Sequence, residues 1–341
     1  MGEGMPKISV IMSTYNTPSE WLYEAIDSIL KQTYGDFEFL IADDCSTTNL
    51  DEVKSRIDDS RVIWIKNESN LGLTKTLNKL LKMCKGEYIA RMDADDISLP
   101  ERFATQVKFM DEHPEVIVSG SYRRAFGNEE KNEIWNIPAT RVEQQVQLFF
   151  YNCGLTHPTA MFRKSMLDEY GVTYNENYTK AQDYGIWVQC TRYAPMAMIP
   201  KVLLQYRKSD VQISTAGKSN QQLNAQKVRY DQLLAMGITP TEEEARLHED
   251  FCHGDISCDA KLFESWIDKL LLTNGTASYF NKSLFKNVLE ERCYFAVEKK
   301  YRQERDKTFK LLYKRLFRFG YFVQKIKRRI KGLVAKIIRR R

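Results

Sequence analysis

Short apolar runs alternate with segments of helical periodicity through the first 120 residues. Ile8-Ser9-Val10-Ile11-Met12, Phe37-Glu38-Phe39-Leu40-Ile41, Val62-Ile63-Trp64-Ile65 and Tyr88-Ile89-Ala90-Arg91-Met92 have the length and β-branched or aromatic content of buried strands. Between them, Leu22, Ile26, Ile29 and Leu30 step at helical spacing after a start at Ser19-Glu20. A short helix is expected near 49–58, and another carries Leu73, Leu77, Leu80 and Leu81 after Asn70-Leu71-Gly72. Strands separated by helices of this length imply right-handed crossovers and a parallel sheet.

Residues 116–215 read as mixed. Val116-Ile117-Val118 and Ala160-Met161-Phe162 suggest strands, a helix is expected over about 140–151, and Gln182-Asp183-Tyr184 opens another. Beyond Thr215 strand signals fade, and 218–300 is helical in pattern. The expected organisation is 1–215 as an α/β catalytic domain, 216–306 as a helical region, and 307–341 as a tail.

Charge sharpens that division. The chain of 341 residues carries a net +6, yet 307–341 holds 14 Lys and Arg with no acidic residue, so 1–306 has 37 basic against 45 acidic residues. In the tail Leu312, Leu316, Phe319, Val323, Ile326, Ile330, Leu333 and Ile337 step by three or four, with basic residues filling much of the remainder. A basic amphipathic helix suits an anionic membrane surface. A partner helix is the plainer alternative, and the broad apolar face speaks against a nucleic-acid arm. The seven cysteines lack metal-ligand spacing and point to reduced thiols in a cytosolic protein. The N-terminus has no signal-peptide pattern, and no run reaches the ~20 apolar residues of a membrane span.

Two acidic clusters follow strands. Ligands of parallel sheets bind outside the carboxyl ends of strands, so Asp43-Asp44 and Asp93-Ala94-Asp95-Asp96 should share one face. Carboxylates crowded there repel one another and invite a cation. Mg²⁺ or Mn²⁺ holding a diphosphate fits, since such ions favour one or two carboxylates plus phosphate oxygens. An acidic loop capping the next helix is the bland alternative. Asp44 can accept the imide N–H of a uracil ring, or it can serve as an Asx-turn. Thr14 and Tyr15 end the first strand, where they can contact the same base. Lys75 follows a helix start that can help bind phosphate, a weak motif on its own. Asp183 opens a helix, where a carboxylate also answers the helix dipole. Once the other acids are assigned, it is the best remaining general base. His157 reads more readily as a structural hydrogen-bonding residue than as a ligand. No P-loop, GxGxxG or nucleophile-histidine pairing occurs, which removes support from kinase, P-loop and nicotinamide chemistry.

Taken together, 8–16, 28–34, 37–46, Asn70-Leu71-Gly72, Gly86-Glu87-Tyr88-Ile89 and Asp93-Ala94-Asp95-Asp96 resemble the family 2 glycosyltransferases over roughly residues 7–215. The resemblance implies a GT-A fold, a Rossmann-like, mostly parallel sheet flanked by helices. It implies that Asp44 reads uracil, that Asp93, Ala94 and Asp95 belong to the metal-diphosphate motif, that Thr14 and Tyr15 line the nucleotide pocket, and that Asp183 is the base. The chain departs from the pattern at Cys45, where a glycine is common, and at Ser209, where many members have histidine. The implied activity is inverting, metal-dependent transfer from a UDP-sugar to a lipid-linked or glycan acceptor in bacterial surface glycan synthesis. Such an enzyme would work peripherally on the cytoplasmic face of the cell membrane, and a homo-oligomer is compatible with the sequence. A nucleotidyltransferase on a similar scaffold and a non-catalytic membrane adaptor are the competing classes.

Overall fold

The computed structural model describes residues 4–128, 130–209 and 218–318. The expected domain boundary at 215/216 and the tail from 319 onward lie outside the described residues. The chain divides into two compact units, Met1–Leu148 with Asn152–Val228, and Phe149–Tyr151 with Arg229–Arg341.

The first unit is built on one sheet. Strands β1 (Ile8–Thr14), β2 (Phe37–Asp43), β3 (Val62–Lys66) and β4 (Tyr88–Asp93) pair in parallel in the order β3-β2-β1-β4. The helices α1 (Ser19–Leu30), α2 (Asp51–Ser55) and α3 (Leu73–Met83) make the crossovers. After the two-residue β5 (Ile97–Ser98) and α4 (Arg102–Glu112) come β6 (Val118–Gly127), β7 (Lys131–Glu133), α5 (Arg141–Leu148), β8 (Met161–Arg163), α6 (Lys164–Tyr170), α7 (Gln182–Tyr193) and β9 (Met196–Lys208). The sheet then turns mixed. β8 runs antiparallel to β4 and β6, whereas β9 runs parallel to β6 and antiparallel to β5.

Both faces of β1, β2 and β4 are buried, which is why they read as continuous apolar runs, whereas β3 at the edge is half-buried to exposed. Side chains alternate across a strand, so Ile8, Val10, Met12, Phe39, Ile41, Tyr88, Ala90 and Met92 join one core, with Ile26 and Ile29 of α1 and Phe103 and Met110 of α4. Ile11, Leu40, Ala42 and Ile89 join the other, with Leu77 and Leu80 of α3 and Ile186, Trp187 and Cys190 of α7. The result is three layers, helix on sheet on helix. Backbone approach is tight where β4 begins: a Cβ on Gly86 would overlap the backbone nitrogen of Ser9, while the Gly86 N–H itself donates to Ser9 Oγ at 2.8 Å.

The second unit contains the last part of α8 (Lys218–Met236), then α9 (Glu242–Cys252), α10 (Ala260–Ala277), α11 (Lys282–Glu298) and α12 (Lys310–Arg318). Its helix starts are legible as caps. Thr241 and Glu244 form a reciprocal capping box, Asp259 accepts from Lys261 and Leu262, and Asn281 accepts from Leu284. Its core gathers Phe149, Phe150, Phe251, Trp266 and Phe285, all buried. No described helix is long and apolar enough to cross a membrane.

Candidate active site

Register places the ends of three strands at one level. Thr14 sits opposite Asp43, and Ser13 opposite Asp93, so β1, β2 and β4 deliver both acidic clusters to the same sheet edge. The acids then part company in what they touch.

Asp44 is buried and heavily bonded. Its Oδ1 accepts from Asn67 Nδ2 at 2.8 Å and from the Leu71 N–H at 2.9 Å, and its Oδ2 accepts from the Gly72 N–H at 2.8 Å. The carboxylate therefore ties the end of β2 to the loop entering α3. Gly72 takes a φ of 80°, a conformation that suits glycine, and so turns its N–H onto Asp44. Asp43 holds its own turn by accepting from the Ser46 N–H at 2.9 Å. Thr14 is buried, with its hydroxyl donating to Thr17 Oγ1 and its carbonyl accepting from the Asp44 N–H. Tyr15 is exposed, so of this pair it is the ring that faces outward. Asn16 clips the two loops together through Ser46 and Thr47. Lys75 lies exposed in the first turn of α3.

Beyond β4, ligand oxygens of Asp93, Asp95 and Asp96 lie within 4.8 Å of one another. Ala94 is buried between them in the α1 and α4 core. Three carboxylates at this spacing form a hard oxygen set, the chemistry that Mg²⁺ and Mn²⁺ prefer. Asp93 is ion-paired to the buried Arg91, two residues earlier on the same strand face. Burial works against the Arg91 charge, but the carboxylates of Asp93 and Asp96 more than offset it, so its pKa is raised. Asp96 is fully buried, and burial with the charges of Asp93 and Asp95 pushes its pKa well up.

Asp183 stands at the N-terminus of α7, in the layer that packs on the Arg91 face of β4. Tyr184 N–H donates to its Oδ1 at 2.7 Å, and Asn152 Nδ2 donates to its Oδ2 at 3.1 Å. Burial raises its pKa, while those two donors and the charge of Arg91 pull it back. Tyr174 is buried nearby, and burial pushes its phenol pKa well up. His157 donates or accepts at Tyr174 Oη, 2.7 Å away, and burial together with Arg91 pushes its pKa well below the usual value. It is a neutral core histidine.

A sheet edge housing two acidic clusters narrows the family, and comparison with known proteins decides it. Residues 9–171 match the model of glycosyl transferase family 2. An uncharacterized glycosyltransferase of Methanocaldococcus jannaschii is 34% identical over 208 residues, 59% of this chain and 71% of the relative. The chain is a family 2 glycosyltransferase. The transferase is also 32% identical over 203 residues to the amylovoran biosynthesis glycosyltransferase AmsE of Erwinia amylovora, 58% of this chain and 75% of that one. Among solved structures, S. aureus TarS 1-349 in complex with UDP-GlcNAc matches with a TM-score of 0.59 at 18% identity, covering 87% of the transferase and 92% of TarS. At such identity the likeness speaks to the fold, which is GT-A.

Several residues of this transferase's site carry no signal in the sequence. Arg91 reads there only as part of a strand. Asn67 and Asn152 belong to no motif. Arg207 gives Asp95 and Asp96 their anchor: its N–H donates to Asp96 Oδ1 and its Nε to the Asp95 carbonyl. Nothing local to Arg207 announces its reach to the acidic turn.

Proposed function

We propose that the chain transfers a sugar from a UDP-sugar to a hydroxyl of a lipid-linked or glycan acceptor, with inversion at the anomeric carbon. The observation that carries this reading is the three-carboxylate cluster of Asp93, Asp95 and Asp96 at the strand edge shared with Asp43 and Asp44. Asp93 and Asp95 would hold Mn²⁺ or Mg²⁺, which supplies Lewis-acid stabilisation of the departing diphosphate. Two structural neighbours support the donor class. TarS is in complex with UDP-GlcNAc, and the mannosyltransferase PcManGT of Pyrobaculum calidifontis, TM-score 0.51 at 16% identity, is in complex with GDP-Man and Mn²⁺.

Asp44 retains one acceptor position for the base. A carboxylate offers about four lone-pair sites. Oδ1 uses two and Oδ2 one, which leaves one site on Oδ2 for the uracil imide N–H. The outward ring of Tyr15 would cover a base held there, while Thr14 supports the pocket from beneath. Lys75 and the N-terminus of α3 would face the phosphates.

Asp183 acts as the general base. It takes the proton from the acceptor hydroxyl as that oxygen attacks the anomeric carbon, and the bond from that carbon to the UDP oxygen breaks on the opposite side. The relationship to an amylovoran transferase supports a role in surface glycan synthesis. The basic tail would hold the enzyme to the inner face of the membrane. The test is Asp183→Asn, assayed for UDP release with acceptor and for UDP binding with Mn²⁺. Transfer should fall at least about 10³-fold with UDP affinity nearly unchanged. Retention of most of the turnover would remove Asp183 from the role of base, and release of pyrophosphate would point to nucleotidyl transfer instead.

A further inference from the structure

Arg91 is the buried cation of this site. Its side chain is 3% exposed, and Nη2 is ion-paired to Asp93 Oδ1. Its Nε and Nη1 are buried and have no hydrogen-bond partner among the described residues. A guanidinium carries five N–H donors, and leaving those on two of its nitrogens dry and unmatched is costly. An ion pair serving only to stabilise the fold would be expected to satisfy them. A second buried guanidinium is close by: Arg102 Nη2 donates to the Arg91 backbone carbonyl at 2.9 Å. Asp96 and Asp183 also feel the Arg91 charge. Among the described residues, the carboxylate that Arg91 grips is Asp93, an oxygen donor of the cluster that a divalent ion would claim.

We propose that Arg91 is a built-in counter-cation and positioning residue, which holds Asp93 in place of the divalent ion and makes the pocket accept that ion together with the donor diphosphate rather than bare. The inference rests on the reading of Asp93 and Asp95 as the metal-diphosphate site. A bare divalent ion must compete with a fixed positive charge for the same carboxylate. A divalent ion carrying a nucleoside diphosphate arrives with net negative charge, which balances Arg91 when Asp93 turns to the ion. Arg91 thereby discriminates against unproductive filling of the site by free cations.

The test is Mn²⁺ binding to the full chain, read from the paramagnetic resonance of free aqueous Mn²⁺, with and without UDP. In the natural sequence, UDP should tighten Mn²⁺ binding at least about tenfold. In Arg91→Gln, bare Mn²⁺ should bind about tenfold tighter than in the natural sequence, and the gain from UDP should shrink. Arg91→Lys keeps the charge and should stay close to the natural behaviour. A merely structural Arg91 would give an Arg91→Gln protein that binds Mn²⁺ equally or more weakly, and that result overturns the proposal. So does equal Mn²⁺ affinity with and without UDP in the natural sequence, a comparison that needs no variant to fold. Absence of any Mn²⁺ binding, even with UDP, would instead defeat the metal-diphosphate reading on which the proposal stands.

Discussion

The backbone N–H of Arg207 donates to Asp96 Oδ1 at 2.9 Å, joining the end of β9 to the acidic turn after β4 across 111 residues of sequence. The same arginine sends Nε to the Asp95 carbonyl at 2.8 Å and Nη2 to Glu24 Oε2 at 2.6 Å, while its guanidinium lies over the rings of Trp21 and Phe126. The backbone bond survives side-chain truncation, but the clamp on Asp95 does not. Arg207→Ala should therefore cost about 1–2 kcal/mol of stability, and weaken Mn²⁺-UDP binding more than it weakens the fold. Paired thermal melts and UDP titrations check this; a large loss of melting temperature with unchanged UDP affinity would contradict it.

Asp96 gives a pH-dependent prediction. Burial raises its folded-state pKa above the ordinary carboxylate value, with Asp93 and Asp95 adding repulsion. The folded protein thus holds a proton that the unfolded chain has released, and stability falls as pH rises from about 4 through the folded pKa. Asp96→Asn removes that penalty while its amide oxygen still accepts from Arg207. The variant should melt about 2–4 °C above the natural sequence at pH 8, with the difference closing toward pH 4. A difference that is constant across this range would refute the assignment.

Asn152 should tune the proposed base. Its amide N–H stabilises the ionised form of Asp183, against burial that favours the protonated form. Removing it by Asn152→Ala should move the acid limb of the kcat/KM profile to higher pH, with turnover recovered above that limb. A profile that drops uniformly at all pH values would assign Asn152 to folding instead of to the ionisation of Asp183.

Strands β1, β2 and β4 were legible because both of their faces are buried: the runs at 8–12, 37–41 and 88–92 are nearly unbroken and apolar. Strand ends then located the acids without further information. β9 was less legible. Its span Met196–Lys208 includes Pro200, Lys201, Gln205, Arg207 and Lys208, which hides a strand in polar residues, and its pairing with β6 shifts register near Tyr122. The two-residue β5 and the three-residue β7 are too short for any period to show. Contacts such as Asn152 with Asp183, and Asn67 with Asp44, depend on tertiary closure. Nothing local to an asparagine announces a partner 23 or 31 residues away.

The bonds made by Asp44 have a bearing on redesign of the donor preference. The carboxylate that would meet the base is also the fastener of the Asn70–Gly72 loop, so exchanging it to admit another base would release three donors and unseat the start of α3. With Asp44 reading the base as proposed, nucleotide choice would be bound up with folding at that residue. The exposed Tyr15, which makes none of these loop-fastening bonds, is the position open to change.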